Sequence, residues 1–137
     1  MTDVEEIARQ AVDCGLTIHR DLGPGLFESV YETLMATLLT QRGLRVERQR
    51  PVSFVYANVT FEDAFRADLP VEEKLLIELK SVERIAPVHA KQLLTYLRLM
   101  NLPLGLLMNF GGVTFKEGLQ RIINPRTDLS QLEIRSQ

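Results

Sequence analysis

The stretch RADLPVEEKLLIELKS, residues 66 to 81, places three charged side chains within the most apolar part of the chain. They are two carboxylates, Asp68 and Glu78, and the ammonium group of Lys80. The residues around them alternate between apolar and polar, which predicts two β-strands. Side chains alternate across a strand, so Glu78 and Lys80 share one face. Two carboxylates in an apolar strand need a feature that compensates their negative charge.

A hairpin that turns at VEEK, with Glu72 and Glu73 at its centre, would place Asp68 opposite Glu78. The Cβ atoms of such cross-strand partners lie about 4.5–5.5 Å apart. Two carboxylates at that distance repel each other, and one would be protonated unless a positive charge lay between them. A divalent cation with oxygen ligands, Mg²⁺ or Mn²⁺, removes this conflict. The alternative is a solvated strand face on which Lys80 forms a surface ion pair that contributes about 0–1 kcal/mol.

Three further polar residues occupy positions from which they could join this site. Glu28 lies in the first turn of a predicted helix, where a negative charge is favourable in any case. Gln92 and Tyr96 are four residues apart and so share one face of a later helix. Taken one at a time, each also has a plain structural explanation, as a helix-dipole partner or as surface decoration.

The elements that must position these residues follow from the apolar spacing. Helical spacing recurs from Val4 to Ile18, from Phe27 to Leu39 and from Ala90 to Leu97, which predicts three helices. Strands are predicted at LRVERQ, VSFVY, FRADLPV, KLLIELK and LGLLMNF, and ANVT offers Asn58 for a turn. The order strand, helix, strand at the end of this series brings the last strand in parallel. KEGLQRII predicts a final short helix.

Length and composition predict one domain that spans residues 1–137, with a core of about 23–124 and a polar, loosely held tail over 125–137. The formal net charge of −2 gives no whole-chain support for nucleic-acid binding. The single Cys14 cannot form an internal disulfide and is predicted to be a small core residue. The chain shows neither a signal peptide nor an apolar run of about 18 residues, so a cytoplasmic protein without a membrane segment is expected.

Other candidate groups are weaker. His19 falls near the apolar stripe of the first helix and is predicted to be a core or edge residue, and His89 could lie at the cleft or at a solvated helix start. GPG and GG lack the context of a phosphate-binding loop and are read as turns. A basic cluster could touch a nucleic-acid backbone or form a solvated face; its members are Arg42, Arg45, Arg48 and Arg50.

The motifs in their order match a known pattern. GLFESVY carries Gly25, Glu28 and Tyr31 in a GxxExxY signature, and RAD, IELK and QLLTY follow. From about residue 23 to residue 124 the chain resembles the GxxExxY family of small bacterial and archaeal proteins, which is assigned to the PD-(D/E)XK nuclease superfamily. The motif order is also similar to that of exonucleases of the RecB type. One departure is Ala67, where the superfamily motif has Pro.

The resemblance implies an α/β fold with a restriction-endonuclease-like core, a central mixed β-sheet flanked by α-helices. It also implies a metal-dependent nuclease that hydrolyses phosphodiester bonds of DNA or RNA with Mg²⁺ or Mn²⁺. In that reading Asp68 is the central metal ligand, Glu78 is the second carboxylate, and the backbone carbonyl of Leu79 is a further ligand. Glu28 binds the metal through water or completes a second site.

The remaining roles implied by the resemblance concern the substrate. Lys80 would orient the attacking water and stabilise charge on the phosphate oxygens. Gln92 and Tyr96 would line the cleft and hold the scissile phosphate or a metal-bound water. The alternative function is a catalytically silent nucleic-acid-binding or regulatory module on the same fold, since fold membership does not prove catalysis.

The expected partner is nucleic acid, with DNA favoured, and no membrane. A homodimer is a further expectation, because one small domain offers little surface to grip a duplex. Val52, Phe54 and Tyr56 could supply the contact between copies, or they could pack beneath a helix.

Overall fold

A computed structural model describes residues 3–125 and the backbone of residues 132–135. Within these ranges the chain forms three α-helices, seven β-strands and one short 3₁₀ helix. The helices are α1 (Val4–Leu22), α2 (Glu28–Gln41) and α3 (Pro87–Met100), and the 3₁₀ helix is Lys116–Gly118. The strands are β1 (Arg50–Tyr56), β2 (Val59–Ala67), β3 (Leu69–Val71), β4 (Leu75–Lys80), β5 (Leu104–Asn109), β6 (Leu119–Ile123) and β7 (Leu132–Arg135).

The described strands form two sheets. One has the order β3-β4-β5-β6, and the other has the order β2-β1-β7. Strands β4 and β5 are parallel, whereas β3 pairs with β4 and β6 with β5 in antiparallel fashion. The helix α3 lies between β4 and β5 in the sequence, as a parallel connection requires. The mixed sheet with flanking helices confirms the expected fold class.

Strand β4 is buried on both faces, which explains its apolar sequence. Leu75, Ile77 and Leu79 pack with α1 and α2 in the larger core, and Leu76 packs with α3 in a second core. Alternate side chains of β4 therefore face different helices. Glu78 continues the face of Leu76, so its carboxylate extends the α3 side of the sheet.

The first helix supplies much of the larger core. Asp3 caps it, because its side chain accepts a hydrogen bond from the Glu6 backbone N–H at 2.9 Å. Cys14 and its neighbours on the apolar stripe are buried, which confirms Cys14 as a core residue. Gly15 allows the ring of Phe115 to approach, since a Cβ at Gly15 would lie 2.4 Å from that ring.

Both predicted turns are confirmed. Residues Ala57 and Asn58 connect β1 to β2, and VEEK connects β3 to β4. Leu69 pairs with Ile77, which is the register predicted from the hairpin centre. The next pair along this register is Asp68 and Glu78.

LRVERQ forms an irregular edge and not a regular strand. Two of its residues, at alternate positions, donate backbone hydrogen bonds to the segment that contains β3. The Glu47 N–H donates to Pro70 O, and the Gln49 N–H donates to Asp68 O. Val46 makes the one isolated bridge found within residues 3–125. Gln49 has a φ of 51°, a left-handed conformation that a regular strand cannot contain.

The prediction of a helix at KEGLQRII is wrong. A 3₁₀ turn at Lys116–Gly118 leads into strand β6, which covers the free edge of β5. The apolar spacing of this segment fits a helix, but the segment forms a strand because it supplies the hydrogen-bonding partner for the edge of β5. Within the tail that the sequence predicts to be loosely held, residues 132–135 form β7 and pair with β1. The rest of the tail beyond residue 125 lies outside the described residues.

Val52, proposed as a contact between copies, belongs instead to the second core with α3. Phe54 is half-buried and stacks on Phe61, and Tyr56 is exposed. None of the helices in residues 3–125 combines the length and hydropathy that a membrane span requires.

Candidate active site

Asp68 and Glu78 are locked together by the β3–β4 hairpin. Asp68 occupies the single residue between β2 and β3, and its backbone N–H donates to Glu78 Oε2 at 2.8 Å. The backbone N–H of Leu79 donates to Asp68 Oδ2, also at 2.8 Å. Each carboxylate thus accepts a hydrogen bond from the backbone of the segment that carries the other. The predicted juxtaposition of these two side chains is present.

The electrostatics of the pair favour protonation when no cation is present. Glu78 is 6% exposed. Burial, and then the charge of Asp68, raises the pKa of the Glu78 carboxyl to about 8. The pKa of Asp68 is raised mainly by burial, against the lowering effect of its hydrogen bonds from Leu79 and Gln49. Glu32 and Glu28 add to the raised pKa of Asp68 through their negative charges.

Lys80 ends β4 two residues after Glu78, on the same face. Its backbone is fixed, because the Phe110 N–H donates to the Lys80 carbonyl at 2.8 Å. Its positive charge favours the ionised form of Glu78, although less than burial and Asp68 disfavour it. Asn109 is buried and lies opposite Lys80 on β5. Its side chain accepts from the Val82 N–H and donates to the Val82 C=O, which fixes the segment that follows Lys80.

The start of α2 forms the other wall of a cleft of about 290 Å³. The residues that line it are Glu28, Ser29, Glu32, Gln49, Asp68 and Leu79. Glu28 and Asp68 therefore face a common space, whereas Glu78 and Lys80, which the sequence predicted to point into the same cleft, are not among its lining residues. Glu78 approaches Asp68 from the interior, beneath this cleft.

Tyr31 anchors the glycine-rich loop that precedes Glu28. Its ring is fully buried and stacks on Phe110 with centroids 4.5 Å apart. Its hydroxyl donates to the Gly23 carbonyl at 2.6 Å and accepts from the Leu26 N–H at 3.2 Å. The 23–27 loop is thereby tied to the core just before Glu28.

We expect Tyr31→Phe to lower the free energy of unfolding by about 1–3 kcal/mol, because it leaves two backbone groups without their partner. This corresponds to a fall in melting temperature of roughly 3–10 °C for a domain of this size. Thermal unfolding by circular dichroism measures it. Tyr56→Phe is the matched control, since Tyr56 is exposed and should leave the melting temperature unchanged. Equal melting temperatures for Tyr31→Phe and wild type would contradict the role of this hydroxyl.

Helix α3 covers the face of Glu78 with Tyr96 and leaves Gln92 exposed. The ring of Tyr96 stacks on Phe65 with centroids 3.8 Å apart. Burial raises the pKa of Tyr96, and the charges of Glu78 and Asp68 raise it further, so this ring lies within electrostatic reach of the carboxylates. Gln92 lies one turn earlier on the same helix face, at the surface.

The sequence alone did not predict that Gln49 and Glu32 line the cleft. Gln49 donates from Nε2 to both Glu32 Oε1, at 2.5 Å, and Asp68 Oδ1, at 3.0 Å, and so connects the cleft's carboxylates. Glu32 also accepts from Arg48 at 3.1 Å. The spacing of Glu32 four residues after Glu28 was a usable signal, because it places both on one helix face.

The other candidates have structural roles. His19 Nε2 donates to the Gly112 carbonyl at 3.0 Å, and His89 Nδ1 accepts from the Ala86 N–H at the start of α3. The basic cluster is already paired with acidic residues of the same chain. The pairs are Arg42 with Asp13, Arg45 with Glu72, Arg48 with Glu32, and Arg50 with Glu47 and Glu73.

No set of three or more aspartate, glutamate, histidine or cysteine side chains is arranged as a metal site among the described residues. The donors present are nevertheless of the type a hard cation takes, two close carboxylates with raised pKa values beside a backbone carbonyl. Mg²⁺ is commonly held by one or two carboxylates and retains several waters. Asp68, Glu78 and the Leu79 carbonyl therefore fit such an ion by chemistry.

One of three comparisons with known proteins gives a match. The family model of the PD-(D/E)XK nuclease superfamily matches residues 5–122. No curated protein and no solved structure matches the chain. The matched range contains α2 to β5 and every candidate residue above. The chain therefore belongs to the PD-(D/E)XK nuclease superfamily.

Proposed function

We propose that this protein is a divalent-metal-dependent nuclease that hydrolyses phosphodiester bonds of nucleic acid. The observation that carries the proposal is the interlocked pair of Asp68 and Glu78. Burial raises both pKa values, and the charge of Asp68 raises that of Glu78 further, so the pair is destabilised as two anions unless a cation joins it. A structural ion pair would show the opposite arrangement, with a basic side chain hydrogen-bonded to each carboxylate.

The cation-binding residues in this proposal are Asp68, Glu78 and the carbonyl of Leu79, with Glu28 acting through water from the far wall of the cleft. A bound Mg²⁺ or Mn²⁺ would polarise the phosphoryl oxygen and lower the pKa of the attacking water. Lys80 would orient that water and stabilise the charge that develops on the phosphate.

Gln92 and Tyr96 are proposed to contact the scissile phosphate or its bound water from α3. The support is the position of Tyr96, whose pKa responds to both carboxylates. Exposed cations on the neighbouring segments, Arg84 before α3 and Lys91 within it, would contribute attraction to the phosphate backbone.

The test is a panel of labelled single-stranded and duplex DNA and RNA, incubated with Mg²⁺, Mn²⁺ or EDTA. DNA is proposed as the substrate. We expect DNA cleavage with either cation and none with EDTA. The control is Asp68→Asn, which keeps the shape of the side chain but removes its charge and should be inactive. Cleavage that persists in EDTA, or that Asp68→Asn retains, would overturn the proposal.

A catalytically silent binding or regulatory module is the second candidate. It is favoured by the raised pKa of Glu78, about 8, because a carboxyl that stays protonated near neutral pH relieves the repulsion at this pair without a cation. Binding of nucleic acid without cleavage under every condition of the panel would select this candidate.

We also propose a family and an oligomeric state for this protein. Membership of the GxxExxY family is supported by the loop that precedes α2, where Gly25 has a φ of 109°, Glu28 is the first helical residue and Tyr31 ties the loop to the core. A homodimer is supported by exposed apolar residues on the β1–β2 hairpin, namely Tyr56, Val59 and Phe61. Sedimentation as a monomer at micromolar concentration would contradict the homodimer.

A further inference from the structure

Phe27 breaks two local rules at once. It is 84% exposed, and it occupies the N-cap position of α2 without a side-chain hydrogen bond to the helix. Serine, threonine, aspartate or asparagine at that position would stabilise the helix by about 1 kcal/mol. Departures from local rules without a structural gain concentrate at functional sites. Leu26 and Val30, its neighbours in the chain and one helical turn on, are also exposed.

The ring is presented by a rigid segment. The hydroxyl of Tyr31 ties both ends of the 23–27 loop. The hydroxyl of Ser81 donates to the Leu26 carbonyl at 2.6 Å, which anchors the loop to the residue that follows Lys80. An aromatic ring held in this way loses little conformational entropy when a ligand stacks on it.

The position of the ring points to the ligand. The next residue, Glu28, lines the cleft with Asp68, and adjacent Cα atoms are about 3.8 Å apart. The ring therefore lies beside the space proposed for the scissile phosphate, and a base attached to that phosphate is within its reach. A nucleobase covers the ring and leaves the cleft open to the phosphate beside it.

We propose that Phe27 is a stacking platform for an unpaired nucleobase next to the scissile phosphate, so that the substrate is single-stranded or frayed nucleic acid. Bases inside a duplex have their faces covered by their neighbours, whereas an unpaired base offers a face to an aromatic ring. The choice of ligand rests on the nuclease function proposed above.

The chain contains no tryptophan, which makes Phe27→Trp a direct reporter. We expect its fluorescence to be quenched when a single-stranded DNA oligonucleotide is titrated with Ca²⁺ in place of Mg²⁺, and to change little with a blunt duplex. The matched control is Ile123→Trp. Ile123 is 61% exposed, and it pairs with Leu104, about 16 Å along β5 from the Asn109 that pairs with Lys80. Quenching of both reporters alike, or of neither, would overturn the proposal.

Affinity gives the second measurement. Stacking of one base is lost in Phe27→Ala, so we expect about 5- to 150-fold weaker binding of the single strand by fluorescence anisotropy, with Ile123→Ala unchanged. Phe27→Trp should bind at least as well as wild type. Unchanged affinity in Phe27→Ala overturns the proposal. A second result would also overturn it. If Phe27→Ala binds the single strand as wild type does but has a lower sedimentation coefficient, the ring belongs to a contact between copies.

Failure of this inference is distinguishable from failure of the nuclease proposal. If single strands quench the fluorescence of the Phe27→Trp variant in a protein that cleaves no substrate, the stacking platform is sustained and the nuclease is rejected. Metal-dependent cleavage that Phe27→Ala carries out with unchanged KM on single strands would sustain the nuclease and reject the platform.

Discussion

Replacing Lys80 with alanine is expected to slow phosphodiester cleavage by about 10²–10³-fold while metal affinity stays within a few-fold of wild type. The reason is that the Lys80 ammonium is assigned to the attacking water and to charge that develops in the transition state, and removal of one such donor costs about that factor. Asp68→Ala should lose both cleavage and metal binding, because Asp68 is the proposed central ligand. Calorimetric titration of Mn²⁺ beside a single-turnover cleavage assay separates the two effects.

Lys116→Ala is the matched control for the lost charge, since Lys116 is an exposed lysine on the 3₁₀ helix. It should cleave at the wild-type rate. Full cleavage by Lys80→Ala, or wild-type metal affinity in Asp68→Ala, would contradict the assignment of roles. A loss of metal binding in Lys80→Ala as large as in Asp68→Ala would show that the lysine acts by holding the carboxylates in place.

The sequence specified the β3–β4 hairpin well, because two independent signals agreed there. The period-2 alternation gave the faces of β4, and VEEK gave the turn, so the register of Leu69 with Ile77 followed. No such agreement between signals exists for β6. Its apolar residues fit a helical spacing as well as a strand, and only the exposed edge of β5 decides between them.

The residues of the candidate site also differ in how well the sequence predicts them. Asp68 and Glu78 were identified because charged residues stand out in an apolar strand. Gln49 and Asn109 were missed because amide side chains carry no such contrast, and their roles arise only when distant segments meet. The left-handed backbone of Gln49, φ 51°, is a further product of tertiary structure, held by its bonds to both the backbone and the side chain of Asp68.

In the metal-free protein, stability should fall as pH rises from about 4.5 to about 8. The pKa of Glu78 is raised to about 8 in the folded state, above its ordinary value of 4.5. The folded chain therefore holds a proton in this interval that the unfolded chain has released, so each rise in pH favours the unfolded state. The decrease in the free energy of unfolding is on the order of a few kcal/mol. Thermal unfolding in EDTA across this interval measures it.

Glu78→Gln isolates the cause, because glutamine keeps the shape and can accept the Asp68 N–H but has no proton to lose. The variant should show a much smaller pH dependence and should melt above wild type at pH 8 in EDTA. Mg²⁺ should stabilise wild type at pH 8 by binding the folded state, and should stabilise Glu78→Gln much less. Glu72→Gln is the control with the opposite sign, since the Arg45 N–H lowers the pKa of Glu72 and its contribution is lost only in acid. A wild-type melting temperature that stays constant from pH 5 to pH 8 in EDTA would show that Glu78 is already ionised in the folded protein, and the need for a cation at this pair would then disappear.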